Sequence, residues 1–166
     1  MDTKKLMTDI NKHKEQIIKV LSGKNWQHFN SYFFIKTNFA KDTFSNEFKS
    51  RFLWFYAMNG AGGLNKQQKE KFFDLLEKKE SELETILEQL YKIPGYQESR
   101  RLFLSFGTKL LHTINNTLPI YDSYIAGVLK LSPQTQVDSL EERMANRVAI
   151  YTELKNCCKE LLRDIE

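Results

Sequence analysis

The chain has 166 residues, enough for one domain with a hydrophobic core and short for two. Hydrophobic residues make up 41% and charged residues 28%, which excludes a disordered chain, and seven glycines with three prolines argue against a turn-rich all-β design. The formal net charge of +4 is weak evidence of a polyanionic partner, but residues 1–65 carry ten Lys/Arg against five Asp/Glu and residues 89–137 carry five against two. Solvated lysines on helix backs would give the same imbalance.

No run reaches the roughly 20 apolar residues of a membrane-spanning helix, and the basic start "MDTKKLMTDINKHKEQIIKV" lacks an apolar signal core. These features predict a cytoplasmic protein without a membrane partner. Apolar residues Leu6, Ile10, Ile17 and Leu21 recur at helical spacing and predict a first helix that Gly23 ends. The aromatic stretch "NWQHFNSYFFIKTNF" predicts a second. Asp42 or Thr43 is placed to cap a third, with Phe44, Phe48, Phe52 and Phe55 facing the core. Trp26 and Trp54 are expected in the core as well. "GAGG" at 60–63 stops this helix. It is no phosphate loop, because it lacks the Gly-Lys-Ser/Thr ending and follows a helix.

Asn65 is placed to cap the next helix, and Ser81 to restart the pattern with Leu83, Ile86, Leu87, Leu90 and Tyr91 in one stripe. "IPGY" at 93–96 reads as a turn, and "SPQTQV" at 132–137 as a loop. Asp138 and Glu141 form a capping-box-like start to the last helix, where Met144, Val148, Tyr151, Leu154, Cys158, Leu161 and Leu162 are expected inward. The whole predicts one all-α domain over residues 1–166, with about seven or eight helices. Adjacent Cys157 and Cys158 are neither a bridge nor a Cys-x-x-Cys pair, and predict one buried thiol and one near the surface. His13, His28 and His112 have no metal-ligand spacing. No metal and no cofactor is expected.

The segment with the most chemistry is "FLSFGTKLLHTINNTLPIYDSYIAGVLKL", residues 103–131. Lys109 is placed in the first turn of a helix over 108–115, and Asp122 opens the next helix thirteen residues on. Seven helical residues rise about 10 Å, at roughly 1.5 Å each. The six steps from Asn116 to Asp122 span up to about 20 Å, so the chain has the reach to return Asp122 to the level of Lys109. His112 follows Lys109 by about one turn, so it either lines the same site or is an ordinary helix residue. Either the lysine faces solvent and the aspartate only caps, or the two converge. A converging amine and carboxylate suit Schiff-base chemistry, the neutral amine attacking a sugar C1′ or a carbonyl.

"FGTKLLHTI…LPIYDSYIAGVL" resembles the helix-hairpin-helix DNA glycosylases, particularly the 8-oxoguanine branch. Ser105-Phe106-Gly107-Thr108-Lys109 matches the hairpin, with Ser105 in place of its first glycine. Pro119-Ile120-Tyr121-Asp122 matches the aspartate segment. The resemblance covers about thirty residues and implies a helix-hairpin-helix element near 97–131, duplex DNA as partner and extrusion of a damaged purine. It implies Lys109 as nucleophile for base excision and strand cleavage, with Asp122 assisting departure of the base. Ser105, Gly107, Thr108, Arg100, Arg101 and Lys130 would hold DNA. Phe106, Tyr121, Tyr124 and His112 would line the pocket. The alternative is a non-catalytic nucleic-acid-binding or protein-interaction module on the same fold.

Overall fold

The computed structural model describes residues 3–22, 26–60, 62–131 and 139–163. Among them the secondary structure is entirely helical, with nine α-helices and one 3-10 turn at Tyr96–Glu98. The expected stops at Gly23 and over 132–137, the cap at Asp138 and the side chains of Leu21 and Trp26 lie outside the described residues.

The predicted first helix is two, α1 (Thr3–Lys12) and α2 (Lys14–Ser22). At the joint the His13 amide is shared between the carbonyls of Asp9 and Ile10, both at 3.2 Å. Helix α1 packs on the last helix with Leu6 half-buried, but Ile10 of the stripe is exposed, as are Ile17, Ile18 and Val20 of α2, so the apolar stripe does not join the core.

Helix α3 (Trp26–Ala40) packs along α4 (Asn46–Phe55). Ser45 caps α4, accepting from the Phe48 amide at 3.1 Å, where Asp42 or Thr43 was the expectation. Asp42 instead occupies a left-handed turn at φ 49° and pairs with Lys79 at 2.9 Å. The phenylalanine stripe of α4 reaches the core: Phe52 lies 5.8 Å from Phe48, 4.7 Å from Tyr56 and 5.5 Å from Phe72, ring centre to ring centre. Such pairs add about 0.5–1.5 kcal/mol each beyond area burial. Trp54 departs from expectation. Two residues after Phe52 is about 200° around a helix, so Trp54 points outward, half exposed, and stacks on His28 at 5.2 Å.

Helix α5 (Lys66–Glu77) opens with a capping box: Asn65 accepts from the Gln68 amide at 2.8 Å, and Gln68 returns the contact at 3.0 Å. Gln68 is buried and also donates to the Ile93 carbonyl at 2.8 Å, which ties α5 to the turn after α6 (Leu83–Tyr91). Leu83, Ile86, Leu87 and Leu90 are all buried, as their stripe predicts.

Helix α7 (Leu104–Ile114) lies against α6, and α8 (Ser123–Leu129) leads toward the 24-residue α9 (Leu140–Arg163). Of the expected inward residues of α9, Tyr151 and Leu154 are buried, whereas Leu162 is exposed. Cys157 is buried and Cys158 partly so.

Candidate functional site

The site begins where α7 begins. Nothing in Leu104-Ser105-Phe106 stops a helix, so α7 starts four residues before the expected position, and Lys109 falls in its second turn. Gly107 is therefore helical, and its amide is taken by the Phe103 carbonyl at 2.9 Å. A Cβ there would sit 3.0 Å from Leu83 Cδ1 and 3.3 Å from Leu87 Cδ2. The glycine lets two helices approach closely. It does not present amides to a phosphate, which corrects its expected role in holding DNA.

Thr108 needs the same correction. It is fully buried, its hydroxyl donating to the Ser105 carbonyl at 3.1 Å and accepting from the Tyr121 amide at 3.0 Å. That second bond ties the segment before Asp122 onto α7. The Tyr121 hydroxyl anchors the other side, donating to the Leu131 carbonyl at 3.0 Å. Tyr121 is itself buried, and burial raises its pKa.

These ties bring Lys109 and Asp122 to one open cavity of about 800 Å³. Its walls come from Phe55 at the end of α4, from Tyr56 and Gly62 beyond it, from Phe103, Ser105 and Phe106 at the start of α7, from Tyr121 and Tyr124, and from Arg147 on α9. The Lys109 ammonium is half-buried, donates to the Tyr56 carbonyl at 3.1 Å and sits 5.1 Å from the Phe106 ring centre. Burial pulls its pKa below the ordinary lysine value, and the charge of Asp122 opposes that pull. The ion pairs among the described residues do not include Lys109 with Asp122. Asp122 does cap α8, one oxygen accepting from the Ile125 amide at 2.8 Å. Capping and cavity lining thus coexist in one carboxylate.

Phe103 and Phe106 stack, with ring centres 5.4 Å apart and planes 18° off parallel. Tyr124 stands at the rim, 84% exposed. Burial pushes the Tyr56 phenol up to about 12, so it stays neutral.

Other expected site residues lie elsewhere. His112 does not line the cavity. Its Nδ1 contacts the Leu118 carbonyl at 2.7 Å and its Nε2 contacts the Tyr32 hydroxyl at 3.3 Å, joining α7 to α3 and to the turn after α7. Beside a carbonyl Nδ1 carries a proton, and in the neutral ring Nε2 then accepts from the Tyr32 hydroxyl. Burial lowers the His112 pKa, the Leu118 carbonyl opposes this, and nearby Lys36 adds to it. Arg100 is exposed and donates to the Lys92 carbonyl at 3.3 Å. Arg101 is exposed in a smaller adjoining recess that shares Gly62 and Phe103 with the main cavity, so it stands beside the mouth. Lys130 ends α8 at φ 54° and lines a separate recess with Lys5 and Asp9, away from the cavity.

Arg147 was not anticipated, yet a signal for it was present. It falls three residues after Met144 and four before Tyr151, which makes it a cation on an inward stripe. Tyr56, whose carbonyl receives Lys109, had no local signal. Among the described residues no group of three His, Cys, Asp or Glu is placed to hold a metal, and no helix is long and apolar enough to cross a membrane. Comparison with protein-family models, with curated proteins and with solved structures gives no significant match.

Proposed function

We propose that the chain is a DNA base-excision glycosylase with abasic-site lyase activity, acting on a damaged purine of the 8-oxoguanine type. One observation carries this reading: a half-buried amine of lowered pKa and a carboxylate line the same open, aromatic-walled cavity. Desolvation supplies what the chemistry needs, because only the neutral amine is a nucleophile.

Lys109 Nζ attacks C1′ of an extruded nucleotide. The N–C1′ bond forms as the glycosidic bond breaks, and the base leaves with the bonding electrons. The proton shed by the amine balances the one the base gains. Asp122 stabilises positive charge building on the sugar, and being already fixed as a helix cap it needs little reorganisation. Opening of the sugar then converts the aminal to a Schiff base. Loss of a C2′ proton expels the 3′ phosphate by β-elimination, and water releases the amine. Arg101 beside the mouth is placed to contact the DNA backbone.

A second reading, a non-catalytic nucleic-acid-binding or protein-interaction module, is favoured by the burial of Gly107 and Thr108, which removes the phosphate cradle of the hairpin. Borohydride trapping separates the two. Duplexes carrying 8-oxoguanine or an abasic site are expected to give a covalent adduct that Lys109→Gln abolishes. Binding at low salt without an adduct would favour the module, and neither binding nor adduct would remove DNA as the partner.

A further inference from the structure

Arg147 lines the same cavity as Lys109 and Asp122, and among the described residues no acid stands within ion-pair distance of it. It is half-buried, and Nη1 donates to Asn146 Oδ1 at 2.9 Å. Burial and the neighbouring charge of Arg143 both work against the cation. Arginine nonetheless keeps its proton in proteins, so this side chain brings several N–H donors and a full charge to the cavity wall. A partly desolvated cation bonded to a neutral amide has donors left over for further acceptors.

The surroundings indicate which acceptors. The same cavity presents the stacked Phe103 and Phe106 rings and Tyr121, walls suited to a flat aromatic ligand. A backbone phosphate keeps its hydration better at the rim, where Arg101 is exposed. 8-Oxoguanine carries a hydrogen on N7, so a guanidinium N–H is left to donate to its O6 carbonyl, whereas adenine places a donor amine at that position. Lys109 and Asp122 are committed to the sugar in the proposed reaction, which leaves Arg147 for the base.

We propose that Arg147 reads the edge of the extruded base and selects a 6-oxopurine over a 6-aminopurine. This rests on the glycosylase reading above. It makes Arg147 a specificity residue that touches the base and not the backbone.

The test uses the full chain with three duplexes, carrying 8-oxoguanine, 8-oxoadenine or an abasic site, under single turnover. The abasic duplex has no base to read, so it reports on Lys109 chemistry and backbone grip alone. The wild type is expected to release 8-oxoguanine faster than 8-oxoadenine. In Arg147→Gln the ratio of 8-oxoguanine release to abasic-site adduct formation should fall on the order of 10-fold or more. An unchanged ratio in Arg147→Gln overturns the proposal, because it means backbone grip, a folding defect or no role. A wild type with no preference between the two oxopurines overturns it as well. A wild type that forms no adduct with abasic DNA overturns the glycosylase reading itself, and the specificity inference falls with it.

Discussion

Replacing Thr108 with valine removes one oxygen and keeps the side-chain shape, so it isolates the bond that ties the Asp122 segment to α7. Thr108 is fully buried, and its hydroxyl is the acceptor for the Tyr121 amide at 3.0 Å. Valine leaves that amide buried without a partner, which costs about 1–3 kcal/mol. No cavity forms, so the loss is polar alone. For a chain of 166 residues, at about 2–4 °C per kcal/mol, Tm should fall by about 2–12 °C. Thr108→Ser supplies the contrast: it keeps the hydroxyl and deletes a methyl group, at about 1 kcal/mol. Adduct formation with abasic DNA should fall further in Thr108→Val than in Thr108→Ser, because only valine frees the segment that places Asp122. Thermal and urea denaturation measure the first effect, and borohydride trapping the second. A valine variant as stable as the wild type, or a serine variant worse than valine in both assays, would refute the clasp.

Adduct formation should rise with pH through the lowered pKa of Lys109 and then level off, because only the neutral amine attacks. Asp122 holds that pKa up, so Asp122→Asn, which preserves the cap, should move the rise to lower pH; a move to higher pH would contradict the electrostatic assignment. His112 favours its neutral form in the folded state. Stability from this group is therefore complete above the unfolded value near about 6.5 and is lost as pH falls from there toward the lowered folded value. Between pH 7.5 and 5 the Tm of His112→Gln should decline less steeply than that of the wild type, and parallel slopes would remove His112 as the cause. At Gly63 an added Cβ would collide with the backbone carbonyl of Met58 and approach that of Gly60 at 2.9 Å. Gly63→Ala should destabilise by about 1–3 kcal/mol and impair the cavity that neighbouring Gly62 lines; an unchanged Tm would show that the loop relaxes freely.

The parts of this structure legible in the sequence are those set by neighbours a turn or less away. The all-helical class, the Leu83–Leu90 stripe, the phenylalanine face of α4 and the Asn65 cap follow from 3.6-residue periodicity and from end groups seeking the nearest oxygen. Lys109 and Asp122 could be singled out as an amine and a carboxylate flanking a reversal, but their shared cavity depends on contacts that no local pattern contains.

Gly107 and Thr108 look like a phosphate loop when read alone, yet Leu83 and Leu87 press on one and the Tyr121 amide claims the other. The Lys109 amine meets the Tyr56 carbonyl from 53 residues away, and Arg147 arrives from a separate helix. A helix is selected by short-range bonds that composition and spacing encode directly. Which of its faces is dry, and which cation ends up on it, is decided only when distant segments pack and exclude water.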